Sequence, residues 1–132
     1  MKHPKLAKLE KEMKAVFDEI DVYLEDKYGD MYPLHPARPP RGTTSSVSHD
    51  GLFNVGASFS AGYGSQYGRG YVVDVHMSTL SLVSEKDKEK ILTEVMDLLR
   101  DKLKTKFPNR KLLVERDGNV VKIFGDFSLG TL

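Results

Sequence analysis

The sequence predicts an α+β two-layer sandwich: an antiparallel sheet of about four strands with two helices on one face, in the order αββαββ. Two observations carry this. Apolar residues recur at three- and four-residue steps over 4–28 and again over 85–107. Each stretch is followed by a hairpin pattern, the first by clean alternation about a glycine-rich connection and the second by two apolar strands about Asp117-Gly118.

The first helix is expected over 4–28. Leu6, Leu9, Met13, Val16, Phe17, Ile20 and Leu24 share one face, while Lys8, Lys11, Glu12, Asp18, Glu19 and Glu25 fill much of the rest. Pro4 suits the first turn, where its missing N–H is no loss. Residues 33–50 follow as a long connection with prolines at 33, 36, 39 and 40 and a Ser/Thr-rich second half. Each proline fixes its own φ and extends the residue before it, so an extended surface loop is expected.

Residues 52–61 and 71–79 alternate in phase. Phe53, Val55, Ala57, Phe59 and Ala61 face one way, with Tyr71, Val73, Val75 and Met77; Asn54, Gly56, Ser58 and Ser60 face the other, with Asp74, His76 and Ser78. The glycine-rich GYGSQYGRG between them suits a hairpin loop. A loop centred near Gln66 sets Ser58 opposite Asp74, Gly56 opposite His76 and Asn54 opposite Ser78. A shift of two keeps the same faces.

The second helix, 85–107, carries its stripe on Ile91, Leu92, Val95, Leu98, Leu99, Leu103 and Phe107. Ser84 is the expected N-cap, with Glu85 and Asp87 at the positive end of the dipole and Lys102, Lys104 and Lys106 at the negative end. Pro108 stops it. Residues 111–124 read as a second hairpin turning at Asp117-Gly118. That turn sets Leu112 and Val114 opposite Ile123 and Val121 on one face, and Leu113 and Glu115 opposite Lys122 and Val120 on the other.

Size and charge bound the function classes. A chain of 132 residues is expected to form one domain, 1–132, with a core that needs no staples. No cysteine occurs, which excludes disulfides, thiolate metal sites and cysteine nucleophiles and fits a cytoplasmic location. The net charge of +1 gives no field for nucleic acid or an anionic membrane. The charged start MKHPKLAKLEKEMK has no apolar h-region, and no apolar run approaches the ~20 residues of a membrane span. No cofactor motif is present.

The region 29–70 differs from the rest in composition, being free of lysine and rich in Pro, Gly, Ser, Thr and Tyr. Four constellations fall in or beside it. Asp74 and His76 emerge side by side from one strand, and with Ser58 nearby they contain the residue types of a Ser/His/Asp hydrolytic site. No G-x-S-x-G elbow accompanies them. The loop offers Arg38 and Arg41 with Thr43, Thr44, Ser46 and His49, the parts from which an anion site is made. His35, His49, His76, Asp50 and Asp74 lack paired metal-ligand spacing, so no metal is assigned. Tyr63, Tyr67, Tyr71 and Arg69 would stack on bases, but a short segment between two strands is better read as hairpin packing.

The expectation is therefore a domain that binds a small anionic ligand or a partner, without catalysis. Arg38, Arg41, Thr43, Thr44, Ser46, His49 and His76 would line the site. The competing readings are a small hydrolase using Asp74 and His76, and a homodimer formed through the sheet.

Overall fold

The computed structural model describes residues 4–60 and 70–127. In chain order the elements are α1 (Pro4–Tyr28), β1 (Phe53–Ser60), β2 (Gly70–Met77), α2 (Glu85–Lys106), β3 (Leu112–Asp117) and β4 (Val120–Gly125), with a 3-10 turn at Val47–His49. The two hairpins join into one antiparallel sheet in the order β1-β2-β4-β3. The αββαββ order and the two-layer architecture are those the periodicities predict. The strands β1 and β3 form the sheet edges.

The core lies between the helices and the sheet. Ile20 and Leu24 of α1 and Val95 and Leu99 of α2 are buried against Phe53, Val73, Val121 and Ile123. Burial of these apolar faces is the main drive for the helices to pack onto the strands. The α2 start is capped as its sequence demands: the Ser84 hydroxyl accepts the Asp87 N–H at 3.1 Å.

Both hairpins differ in register from the expectation by two residues, and so keep their faces. In the first, Asn54 pairs with His76, Gly56 with Asp74 and Ser58 with Val72. Ser78 is unavailable to Asn54 because its N–H bonds the Leu52 carbonyl at 2.7 Å. In the second, Leu112 pairs with Gly125, Val114 with Ile123 and Glu115 with Lys122. The turn residues are Gly118 and Asn119 rather than Asp117 and Gly118. A type I′ turn on Asp117-Gly118 needs positive φ at both positions. Gly118 has φ of 66°, and no non-glycine residue described has positive φ. Glycine at the first loop position followed by a negative-φ residue is the type II′ alternative.

Lys122 departs from the pattern in another way. Its position is on the polar face, yet it is 1% exposed. The strand β4 is interior, so the Lys122 stem is flanked by Val72 of β2 and Glu115 of β3. Phe59 departs in the opposite sense. It is on the apolar face but 65% exposed, because β1 runs past the end of the core.

Gly70 sets how closely β2 and β4 approach. A Cβ there would lie 1.9 Å from the Ile123 carbonyl oxygen, whereas one on Gly56 would meet nothing nearer than Asn54 Oδ1 at 3.9 Å. We expect Gly70→Ala to cost several kcal/mol in urea unfolding, and Gly56→Ala to stay within about 0.5 kcal/mol of the parent.

Candidate functional site

The loop residues read as an anion site bond chiefly to the protein itself. Arg38 donates to four backbone carbonyls: Nε to Gly51 at 3.0 Å, and Nη2 to Ser48, Asp50 and Phe53 at 2.8, 3.1 and 3.2 Å. Arg41 pairs with Asp26 at 2.7 Å. Thr44 donates its N–H and hydroxyl to Asp50 Oδ2 at 2.9 and 3.1 Å. The Thr44 backbone N–H in particular holds the Asp50 carboxyl below the usual range. The Thr43 hydroxyl donates to the Pro40 carbonyl, and the Ser46 and Ser48 hydroxyls lie 3.1 Å apart. His49 is exposed, and its backbone N–H bonds the Ser46 carbonyl at 3.0 Å. The polar side chains of the loop thus satisfy its own backbone, which is why a long connection can lie against β1.

The hydrolytic set is not assembled. Ser58 is level with Val72, and His76 is level with Asn54. Four strand residues separate those levels, about 13 Å, beyond any Ser–His hydrogen bond. Asp74 and His76 are both exposed on the outer face. Among the described residues no group of three His, Asp or Glu could hold a metal ion. Tyr63, Tyr67 and Arg69 lie outside the described residues. Tyr71 packs edge-on against Phe59 and Phe127 at 6.3 and 5.3 Å.

His76 stands between two depressions. One, of about 370 Å³, is bordered by His35, Arg38, His76 and Thr79. The loop and the first hairpin do therefore meet. His35 is fixed there by its N–H to the Ser78 carbonyl at 2.8 Å, and its Nδ1 accepts the Ala37 N–H at 3.0 Å. The other is a cleft of about 470 Å³ between the end of β2 and the start of α2. Val75, Met77, Val83, Ile91 and Leu92 supply its apolar lining. Its charged rim is paired internally: Arg116 forks onto Glu89 at 2.8 and 3.1 Å, and Lys88 meets Glu85 at 3.3 Å. Leu82 on its lip is 95% exposed, and neighbouring Leu80 is 74% exposed.

The backbone of β2 also opens here. Phe53 and Val55 turn their N–H groups away from β2, so in this ladder the odd residues of β2 point toward β4. The pairing with β4 stops at Val73. Val75 therefore directs its N–H and C=O into the cleft, with no bond to them among the described residues.

Asp21 escaped the sequence reading, and Glu25, read there as part of the polar side of the helix, is instead buried because it caps the β1 edge. Asp21 and Glu25 are buried on the sheet side of α1, 1% and 8% exposed. Glu25 accepts the Phe53 N–H at 2.6 Å and Asp21 the Val55 N–H at 3.3 Å. Burial raises both acids, with these N–H bonds opposing it; Asp21 reaches about 7. Its Oδ1 is buried without a hydrogen-bond partner, which leaves a place for that proton. The sequence signal was an i, i+4 acid pair next to Ile20 and Leu24 on the apolar stripe.

Comparison with known proteins gives two findings. A protein-family profile described as "Uncharacterised protein" matches residues 4–125. An "Uncharacterized protein" of Borreliella burgdorferi (strain ATCC 35210 / DSM 4680 / CIP 102532 / B31) is 41% identical over 109 residues, covering 83% of this chain and 85% of that one. No solved structure matches. No helix among the described residues is long and apolar enough to cross a membrane.

The Asp21 proton gives a pH dependence with a definite sign. Its native pKa lies above the ordinary 3.8. The native state therefore holds the proton more tightly than the unfolded chain, and this contribution to stability is full below about pH 4. It falls as pH rises from about 4 to 7 and is gone above that, a change on the order of 3 kcal/mol. Asp21→Asn keeps an acceptor for Val55 and cannot ionise. Urea unfolding at several pH values should show the variant gaining on the parent across that window and exceeding it at pH 8.

Proposed function

Since the chain belongs to this uncharacterised family, we propose from its geometry that it is a non-catalytic, partner-binding protein whose recognition surface is the cleft between β2 and α2. The observation that carries this reading is the conjunction at one place of an apolar floor, two exposed leucines and an unpaired strand amide. Its lining is mixed, with Val75, Met77, Leu82 and Val83 beside His76, Ser81, Asn119 and the paired charges, and concave sites of this volume are the usual place for a ligand group. The rim charges are already neutralised in pairs, so an uncharged, apolar occupant is the best match. An extended segment of a partner protein fits. It would seat an apolar side chain between Leu82 and Met77 and hydrogen-bond its own backbone to Val75. His76 stands at the mouth as a polar contact. Arg38 and Arg41 are engaged by carbonyls and by Asp26, so anion capture is not part of the proposal.

The test is selection of displayed random peptides on the immobilised protein, followed by amide mapping. Binders should carry an apolar anchor, shift Val75–Met77 and Leu82–Glu85, and lose at least tenfold in affinity to Leu82→Asp at unchanged melting temperature. Binders indifferent to Leu82→Asp, or none at all, would refute the proposal.

A further inference from the structure

We propose that two copies of this chain pair edge to edge through the distal half of β1, about a twofold axis at Ser58, forming one continuous sheet. This surface is separate from the cleft at β2.

The argument begins with the direction of the backbone groups. On β1 the odd residues point away from β2: Phe53 and Val55 send their N–H groups to Glu25 and Asp21, and the Phe53 carbonyl accepts Arg38. The same parity aims the N–H and C=O of Ala57 and Phe59 outward. Among the described residues nothing bonds to these four groups, and Gly56–Phe59 are all exposed. Half of this edge is therefore covered and half is open. An open edge is a template for another strand.

The open half is self-complementary. Antiparallel pairing of Ala57 with Phe59 of the second copy, and of Phe59 with its Ala57, closes four hydrogen bonds with Ser58 on the axis. Centring the pair on Ala57 instead would draw in the Val55 N–H, which Asp21 already holds. The covered half thus selects the register.

The side chains agree with it. Phe59, 65% exposed, would lie beside Ala57 of the other copy on the helix-facing side. A groove of about 480 Å³ runs there between α1 and β1, lined by Met13, Phe17 and Val55. Phe59 with Tyr71 also walls this groove, so pairing would set the two Phe59 rings and the two grooves side by side about the axis. Charge permits the contact: the groove rim alternates Glu10, Lys14, Asp18, with Lys14 and Asp18 bonded at 2.8 Å, and the chain carries only +1. Pairing through one short edge segment makes a small interface, so dimer should grow with protein concentration.

Sedimentation velocity from low to several hundred micromolar tests this. The native protein should move from 14.9 kDa toward twice that mass as concentration rises, with Ala57 and Phe59 amides slower to exchange in the dimer. Ala57→Pro removes an outward donor without breaking the β1–β2 ladder, and Phe59→Lys places a charge in the groove. Both should remain monomeric with melting temperatures near the parent's. If Ala57→Pro does not fold, Phe59→Lys decides alone. A native protein that stays monomeric throughout, or a dimer that persists in the folded variants, overturns the proposal.

Discussion

The outward backbone groups of β1 must find partners, and much of the molecule is arranged to supply them. An edge strand buried under a helix cannot leave its N–H groups to water. Here Asp21 and Glu25 reach down from α1 to accept the N–H groups of Val55 and Phe53, and Arg38 reaches across to take the carbonyls around them. The acids fix α1 against β1, and the arginine fixes the long loop against the same strand. Burying two carboxylates this way is costly, which is why both hold their protons more tightly than usual. The arrangement works because each acid replaces a strand that would otherwise be required.

The two-layer fold was legible because its signals are periodic. Helical steps around Leu9–Leu24 and Ile91–Leu103, alternation through Phe53–Phe59, and a capping Ser84 each specify local structure without distant information. Register was not legible. A shift of two leaves every face intact; in the first hairpin the deciding interaction, Ser78 with Leu52, joins residues far apart in sequence, and in the second the turn moves by one residue to place Gly118 at its first position. The carbonyls that Arg38 bonds were not legible for a related reason. Arginine beside hydroxyls and glycine suits an anion, but it equally suits a run of carbonyls, and only the fold shows which is within reach. Asp21 and Glu25 are polar letters on an apolar stripe, and their meaning depended on knowing that β1 is an edge.

Besides the β3 edge, the ends of β2 and β1 leave sheet hydrogen-bonding incomplete among the described residues, and the two are unlike each other. The end of β2 opens into a cleft with an apolar floor and charges that pair along its rim, a setting for one foreign apolar group. The end of β1 opens sideways beside a groove walled in part by Phe59, a setting for a surface identical to itself. The contrast follows from the topology β1-β2-β4-β3, in which β2 outruns β4 and β1 outruns the core.

The grip of Arg38 has a consequence for how this chain can change over time. It reads oxygen atoms of the main chain at Ser48, Asp50, Gly51 and Phe53, not the side chains attached there. Its own grip therefore makes no demand on the side chains at those four positions. Limits come from elsewhere: from Gly42 and Gly51, whose φ values are 84° and 72°, from the Thr43 and Thr44 hydroxyls bonded to Pro40 and Asp50, and from the arginine itself. A loop held through main-chain oxygens transfers most of the cost of change onto the few residues that do the holding.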